Sequence, residues 1–253
     1  MSIYFLKNLA FFAYLLNEVS KMLYQEICLF IYGACLASFS FCYAQRYRSH
    51  LSILTPRSFC DTCQHQLTLW QVIPILGFCF QKGRCHFCHA KIPIQSTCLE
   101  IGIGLYLALL GTNLSIKSWP FILLLTTWCL CLSLQDFYTQ SVASACLILG
   151  GILCLLCNLA RSYHLLLHEW PLISIFLLFL GLLCYLGKLG SGDFYFIAFI
   201  SLIIGFWYLL WVLLGACLLA LGFCYVRQQI KIAFLPCLSL SLAILLLYLR
   251  FSN

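Results

Sequence analysis

The chain has 253 residues, of which 64% are apolar and 8% charged, with 14 Lys+Arg against 7 Asp+Glu. A soluble domain is about half apolar and about a quarter charged, so a water-soluble globule is excluded and lipid is the solvent for most of the chain. The apolar runs, of about 20 residues, are continuous rather than alternating, which points to spanning helices and excludes a transmembrane β-barrel.

Residues 1–26 contain the apolar run Ile3–Leu16, broken by Lys7 and Asn8 and short for a span. No small-residue cleavage site closes it, so the segment reads as an interfacial amphipathic helix rather than a signal peptide. The first transmembrane helix is expected at 27–44. Residues 45–97 form the one extramembrane domain, with Arg46, Arg48, Arg57, Lys82, Arg84 and Lys91 against a single acid, Asp61. Cations crowded beside membrane ends place this loop in the cytoplasm. They also account for the largest share of the +7 net charge without a nucleic-acid partner.

Residues 98–253 hold the remaining spans. The first is expected at about Cys98–Leu110, extending toward Asn113, before a short outer loop with Lys117. Trp119 and Pro120 open the next, which ends near Asp136. A polar turn, Thr139–Ser144, leads into a span at about Ala145–Ala160. An outer loop, Arg161–Pro171, precedes one at Leu172–Leu186. The 33-residue apolar run Phe194–Val226 is long for one crossing and is expected to fold into two helices turning near Gly205, before the basic Arg227 and Lys231. The last span is expected at about Phe234–Leu249. The fold class is an all-α polytopic membrane protein of seven to eight transmembrane helices with a small cytoplasmic zinc-binding loop. No internal repeat is visible.

Most of the 18 cysteines lie inside apolar runs, where a free thiol is a small hydrophobe. Four do not. Cys60 and Cys63, then Cys85 and Cys88, form two Cys-x-x-Cys pairs separated by 21 residues. Such knuckles suit a tetrahedral four-thiolate zinc site with no open position, hence structural rather than catalytic. The alternatives are two disulfides, disfavoured in a reducing cytoplasm, or an iron–sulfur cluster. A loop this small has little core, so a metal would supply much of its folding energy.

Among the seven acids, Glu100, Asp136 and Asp193 lie within or beside apolar helices. An ionisable group at membrane depth points to function. Asp136 and Asp193 both fall at the cytoplasmic ends of spans, and two carboxylates sharing one proton can hydrolyse a peptide bond. Gly190 and Gly192 flank the second, in Gly-x-Gly-Asp, and leave room for a kink and for close approach of a substrate strand. The plainer reading makes Asp136 a helix-end residue and Asp193 the N-cap of the following helix. Glu100 is expected to be structural or to support the site from behind the aspartates.

Several stretches, in order, resemble the type IV prepilin peptidases: Leu36–Ser40 through Arg46, Pro56–Cys63, Trp70–Leu76, Gly83–Pro93, Glu100, Ser133–Asp136 and Gly190–Phe194. The chain departs from that family in having no proline or second acid at Phe137–Val142, and Tyr195 where the family often has Lys. The resemblance implies a bacterial inner-membrane enzyme that cuts the leader of prepilins or pseudopilins at the cytoplasmic face. It then methylates the new N-terminus with S-adenosylmethionine. On this resemblance Asp136 and Asp193 are the catalytic pair, and Cys60, Cys63, Cys85 and Cys88 hold zinc.

Two other readings share parts of this pattern. Presenilin-like proteases also carry Gly-x-Gly-Asp, but the four-cysteine loop argues against them. A transporter or scaffold with a zinc module would use the aspartates as ion ligands or caps.

Overall fold

The structure is a computed structural model that describes the backbone of residues 2–52, 57–111, 118–228 and 232–252. Among these residues it is helical, with no strand beyond two isolated bridges. The ten helices are α1 (Ser2–Arg48), α2 (Leu69–Val72), α3 (Leu76–Phe80), α4 (Ile94–Gly111), α5 (Trp119–Thr139), α6 (Ser144–Cys157), α7 (Leu159–Tyr185), α8 (Ser191–Ile204), α9 (Phe206–Arg227) and α10 (Leu235–Ser252).

Six helical stretches are long and apolar enough to cross a bilayer: Val19–Arg48 of α1, α4, α5, His168–Tyr185 of α7, Phe206–Val226 of α9, and α10. The protein is thus a multi-pass membrane protein. The apolar α6 and α8 have 14 residues each, about 21 Å of helix against a hydrocarbon core of about 30 Å. With them the apolar helices match the seven to eight expected. α1 passes through residue 26 without a break. The segments around Pro56, Lys117 and Lys231 lie outside the described residues, as do the side chains of 2–18 on which an amphipathic reading turns.

The long apolar run does divide at Gly205. Its φ of 88° and ψ of 169° fall in a region open essentially to glycine alone. The backbone N–H of Phe206, an orphan donor at the start of α9, is taken by Glu169 Oε2 at 2.6 Å. One expectation fails: Arg161–Pro171 is not a loop. α7 runs from Leu159 through Pro171 to Tyr185. Pro171 reads as a boundary because proline disfavours helix in the residue before it. Here the Leu-rich segment on its N-terminal side has no glycine and good helix formers, so the helix carries the proline as an internal residue.

The chain forms two compact units, Met1–Phe39 with Pro56–Ile116, and Ser40–Thr55 with Lys117–Asn253. In the first, α1 and α4 meet at glycines: a Cβ on Gly33 would stand 2.8 Å from Ile103 O, and one on Gly104 would stand 2.9 Å from the Phe30 ring. Such close backbone approach is how membrane helices associate without a hydrophobic drive between them. In the second unit the core centres on Trp128 of α5. Its ring stacks on Phe196 of α8 (centroids 5.1 Å apart) and meets Phe199 edge-on. Its Nε1–H donates to Cys146 O of α6. Gly150 and Gly151 of α6 leave the notches for Trp128 and Phe199, since a Cβ there would come within 2.0 and 2.6 Å of those rings. This one aromatic cluster ties α5, α6 and α8 together.

Candidate functional site: a four-cysteine cluster and a pair of aspartates

In the first unit the two Cys-x-x-Cys segments fold as copies of each other. Phe59 bridges Gln66 and Arg84 bridges Lys91. The N–H of Cys60 donates to His65 O and that of Cys85 to Ala90 O. The residue after each second cysteine, Gln64 and His89, turns back to donate to the first cysteine's carbonyl, with φ of 56° and 57°. No repeat shows in the sequence because the copying is of backbone, and apart from the cysteines few side chains are shared.

These knuckles bring four sulfurs together. The Sγ atoms of Cys60, Cys63, Cys85 and Cys88 all lie within 4.8 Å of one another, with Cys60 to Cys88 at 3.8 Å and Cys63 to Cys85 at 4.0 Å. Zn–S bonds of about 2.3 Å set tetrahedral S···S edges of about 3.8 Å. The four residues therefore fit a metal ion of that size, and none is in a disulfide. The thiols already differ. Backbone N–H groups of Cys88 and Phe87 bring Cys85 down to about 7. Cys88 goes up to about 11: the Ala90 N–H acts to lower it, but desolvation and the neighbouring thiols outweigh it. Thiolates this crowded repel one another unless a cation lies between them. No histidine joins the cluster, so His65, His86 and His89 are not ligands in this arrangement.

Glu100 is 6% exposed. Its Oε2 accepts the N–H of Ile75 at 2.7 Å, which ties the junction of α2 and α3 to α4. Ile75 has φ 64°, a left-handed conformation that a β-branched residue avoids and that this bond helps to hold.

In the second unit Asp136 lies in the last turn of α5. Its Oδ2 accepts the N–H of Leu235, the first residue of α10, at 3.2 Å. It therefore sits at the positive end of α10, satisfying an orphan donor. One turn earlier, the hydroxyl of buried Ser133 hydrogen-bonds that of Ser239, joining the same two helices. Asp193 lies in the first turn of α8 and is not its N-cap; that position is Gly190. A Cβ on Gly190 would stand 3.1 Å from Asp193 Oδ2. Gly190 has ordinary extended backbone angles (φ −67°, ψ 140°), so glycine there gives space to the carboxylate, not a special conformation. Gly192 is helical and has only Val142 near it, at 3.8 Å from a built Cβ.

Asp136 follows Trp128 by about two turns, while Phe196 and Phe199 follow Asp193 by about one and two turns. With Trp128 against Phe196 and the charge of Asp136 acting on Asp193, α5 and α8 run in opposite directions. The carboxylates are near enough for their charges to interact, and both are half-buried.

Residues 31–114 match the bacterial peptidase A24 N-terminal domain, and residues 123–225 match the type IV leader peptidase family. The first match contains the four cysteines and the second both aspartates. Over these two stretches the chain is similar to the type IV leader peptidases. Similar curated proteins include a prepilin leader peptidase/N-methyltransferase of Bacillus subtilis, 39% identical over 89 residues (35% of this chain, 36% of that protein). One of the same name from Pseudomonas putida is 30% identical over 104 residues (41% and 36%). A type 4 prepilin-like proteins leader peptide-processing enzyme of Escherichia coli is 30% identical over 104 residues (38% and 39%). The chain thus spans between a third and two fifths of the length of these relatives. No solved structure matches it.

In this chain one further residue stands beside the pair. Gln135 is 0% exposed and its Oε1 accepts the N–H of Ala143 at 3.3 Å. It thereby pins the turn between α5 and α6, whose Val142 faces Gly192. The sequence singled out acids and overlooked this amide, whose only signal was a polar residue in an apolar helix. Gln135→Met keeps the shape but removes the acceptor. It is expected to cost about 1–3 kcal/mol, the penalty of a buried unpaired N–H, seen as a lower melting temperature in detergent. Unchanged melting would mean that Ala143 finds another acceptor.

Proposed function

We propose that this chain is a prepilin leader peptidase. It would hydrolyse the peptide bond between the leader and the hydrophobic helix of a type IV prepilin or pseudopilin. What carries the reading is the pair Asp136 and Asp193, at one end of two antiparallel helices, in a chain similar to the type IV leader peptidases.

In this mechanism one carboxylate is ionised and the other protonated, as two adjacent acids sharing a proton require. The ionised group takes a proton from water as the water oxygen attacks the scissile carbonyl carbon. The protonated group gives its proton to the carbonyl oxygen. The tetrahedral intermediate then collapses, a proton passes to the amide nitrogen, and the C–N bond breaks. Leu235 N–H holds one oxygen of Asp136 and so aims the other. Gly190 leaves Asp193 room to turn toward it.

In this reading residues 45–97 form a zinc-held module between a first span at 27–44 and the peptidase helices of 98–253, with 1–26 on the membrane surface. Zinc would cross-link the two knuckles and take no part in hydrolysis. The cation-rich loop favours a cytoplasmic side for the module, and in this reading the pair would share that side of the bacterial inner membrane. The names of the relatives favour a second activity, methylation of the new N-terminus with S-adenosylmethionine as donor.

The test is the mass of a prepilin co-expressed with the native chain. A product shortened by the leader supports the peptidase, and a further methyl group supports the transferase. An uncut prepilin beside folded enzyme would favour the transporter or scaffold reading.

A further inference from the structure

We propose that α2 and α3 form a membrane-surface anchor whose apolar side chains insert into the headgroup and acyl boundary of an anionic bilayer. The loop that carries the cysteines has an apolar face that no described residue covers. Leu69 is 86% exposed, Trp70 73% and Phe80 69%, and Val72 and Leu76 also face outward. A patch of this kind in an extramembrane loop marks a contact surface.

The occupant follows from depth and charge. Glu100 stands six residues into α4, about 9 Å along a helix that is itself a candidate span from its first residue, Ile94. Its bond to Ile75 N–H therefore holds the α2–α3 junction level with the first turns of that span, where the bilayer begins. The tight fold of the pair fixes it there: Gly77 of α3 packs on α2 so closely that a Cβ would lie 2.3 Å from Gln71 O. Water at this level satisfies the ends of two short helices, which the hydrocarbon core would not. Exposed Lys82, Arg84 and Lys91 follow Phe80, with exposed Asp61 as the loop's one acid. Aromatic side chains beside cations suit the boundary of an anionic leaflet. The hydrophobic segment of a protein substrate would have no use for the cations, and the test separates it.

The full-length protein, zinc-loaded, is placed in bilayer discs of phosphatidylcholine and phosphatidylglycerol. Photoreactive benzoylphenylalanine replaces Trp70 or Phe80, or Asp61 as the polar control. All three are exposed, and unchanged zinc content reports that each variant is folded. Mass spectrometry of the irradiated protein is expected to show lipid adducts at 70 and 80 in roughly ten-fold excess over 61. The yield at 70 is expected to fall when phosphatidylglycerol is omitted. Adducts at 70 and 80 to an added prepilin rather than to lipid would overturn the proposal. So would lipid adducts no more frequent than at 61.

Discussion

Asp136→Asn and Asp193→Asn are each expected to lower leader cleavage by roughly three orders of magnitude or more, with the double variant scarcely worse than either single one. The reason is that the carboxylates act as one unit. An amide at either position can neither take a proton from water nor give one to the carbonyl oxygen, so the surviving partner works alone. Non-additivity is what separates a shared mechanism from two independent structural roles. Each Asn keeps the size of the residue it replaces. At 136 it keeps an oxygen to accept the Leu235 N–H. The start of α10 is therefore expected to stay in place, and loss of activity is not loss of fold. The measurement is the fraction of prepilin cut over time by purified protein of each kind, alongside melting temperatures. Cleavage within a few-fold of native by both single variants would remove the pair from the mechanism and favour caps or ion ligands.

Removing the metal is the second large effect. Native protein is expected to bind about one zinc ion per chain, and Cys60→Ser or Cys85→Ser to bind almost none. Apparent binding energies of such sites, about 10–16 kcal/mol, exceed the stability of a typical domain. Little else holds the loop between Arg57 and Pro93. Gly77 and Cys85 are its only buried residues among those described. Its turns also keep Gln64, Ile75, Lys82 and His89 at positive φ, at a cost of about 1–3 kcal/mol per strained residue. A cation that draws the four sulfurs together offsets that cost. Hydrogen exchange is the appropriate probe: backbone amides of residues 57–92 are expected to lose protection on chelation, while α5, α6, α8 and α10 keep theirs. A loop that stays protected without metal would show that its apolar contacts suffice. Metal-free protein that still cuts prepilin would show that zinc serves the fold of this loop alone.

Much of this protein is visible in its residues because lipid leaves few choices. A chain with 8% charge must satisfy its backbone internally, and continuous apolar runs then mean helices. The four cysteines announce themselves by spacing, since a knuckle is a local structure whose geometry depends on few neighbours. Gly205 is visible for the same reason: an apolar run too long for one helix must turn somewhere, and glycine alone adopts the angles found there. The two aspartates stand out because charge at membrane depth is costly.

What the residues do not carry is long-range. Pro171 looks like a helix boundary and is not, because a local rule yields to the helix around it. Glu169 looks like a loop acid, and Glu100 like an acid at the start of a span with no evident partner. Each is in fact the acceptor for a backbone N–H distant in sequence, Phe206 and Ile75. Gln135 gives no sign of pinning Ala143. Above all, the spacing of Asp136 and Asp193 says only that they fall at similar ends of two helices. How those two helices lie against each other depends on Trp128, lodged in the notch at Gly150 and stacked on Phe196. Composition and periodicity set which segments become helices, since those depend on solvent and neighbours a few residues away. Which helix ends face each other depends on the fit of side chains far apart in sequence, and only the packed structure settles that.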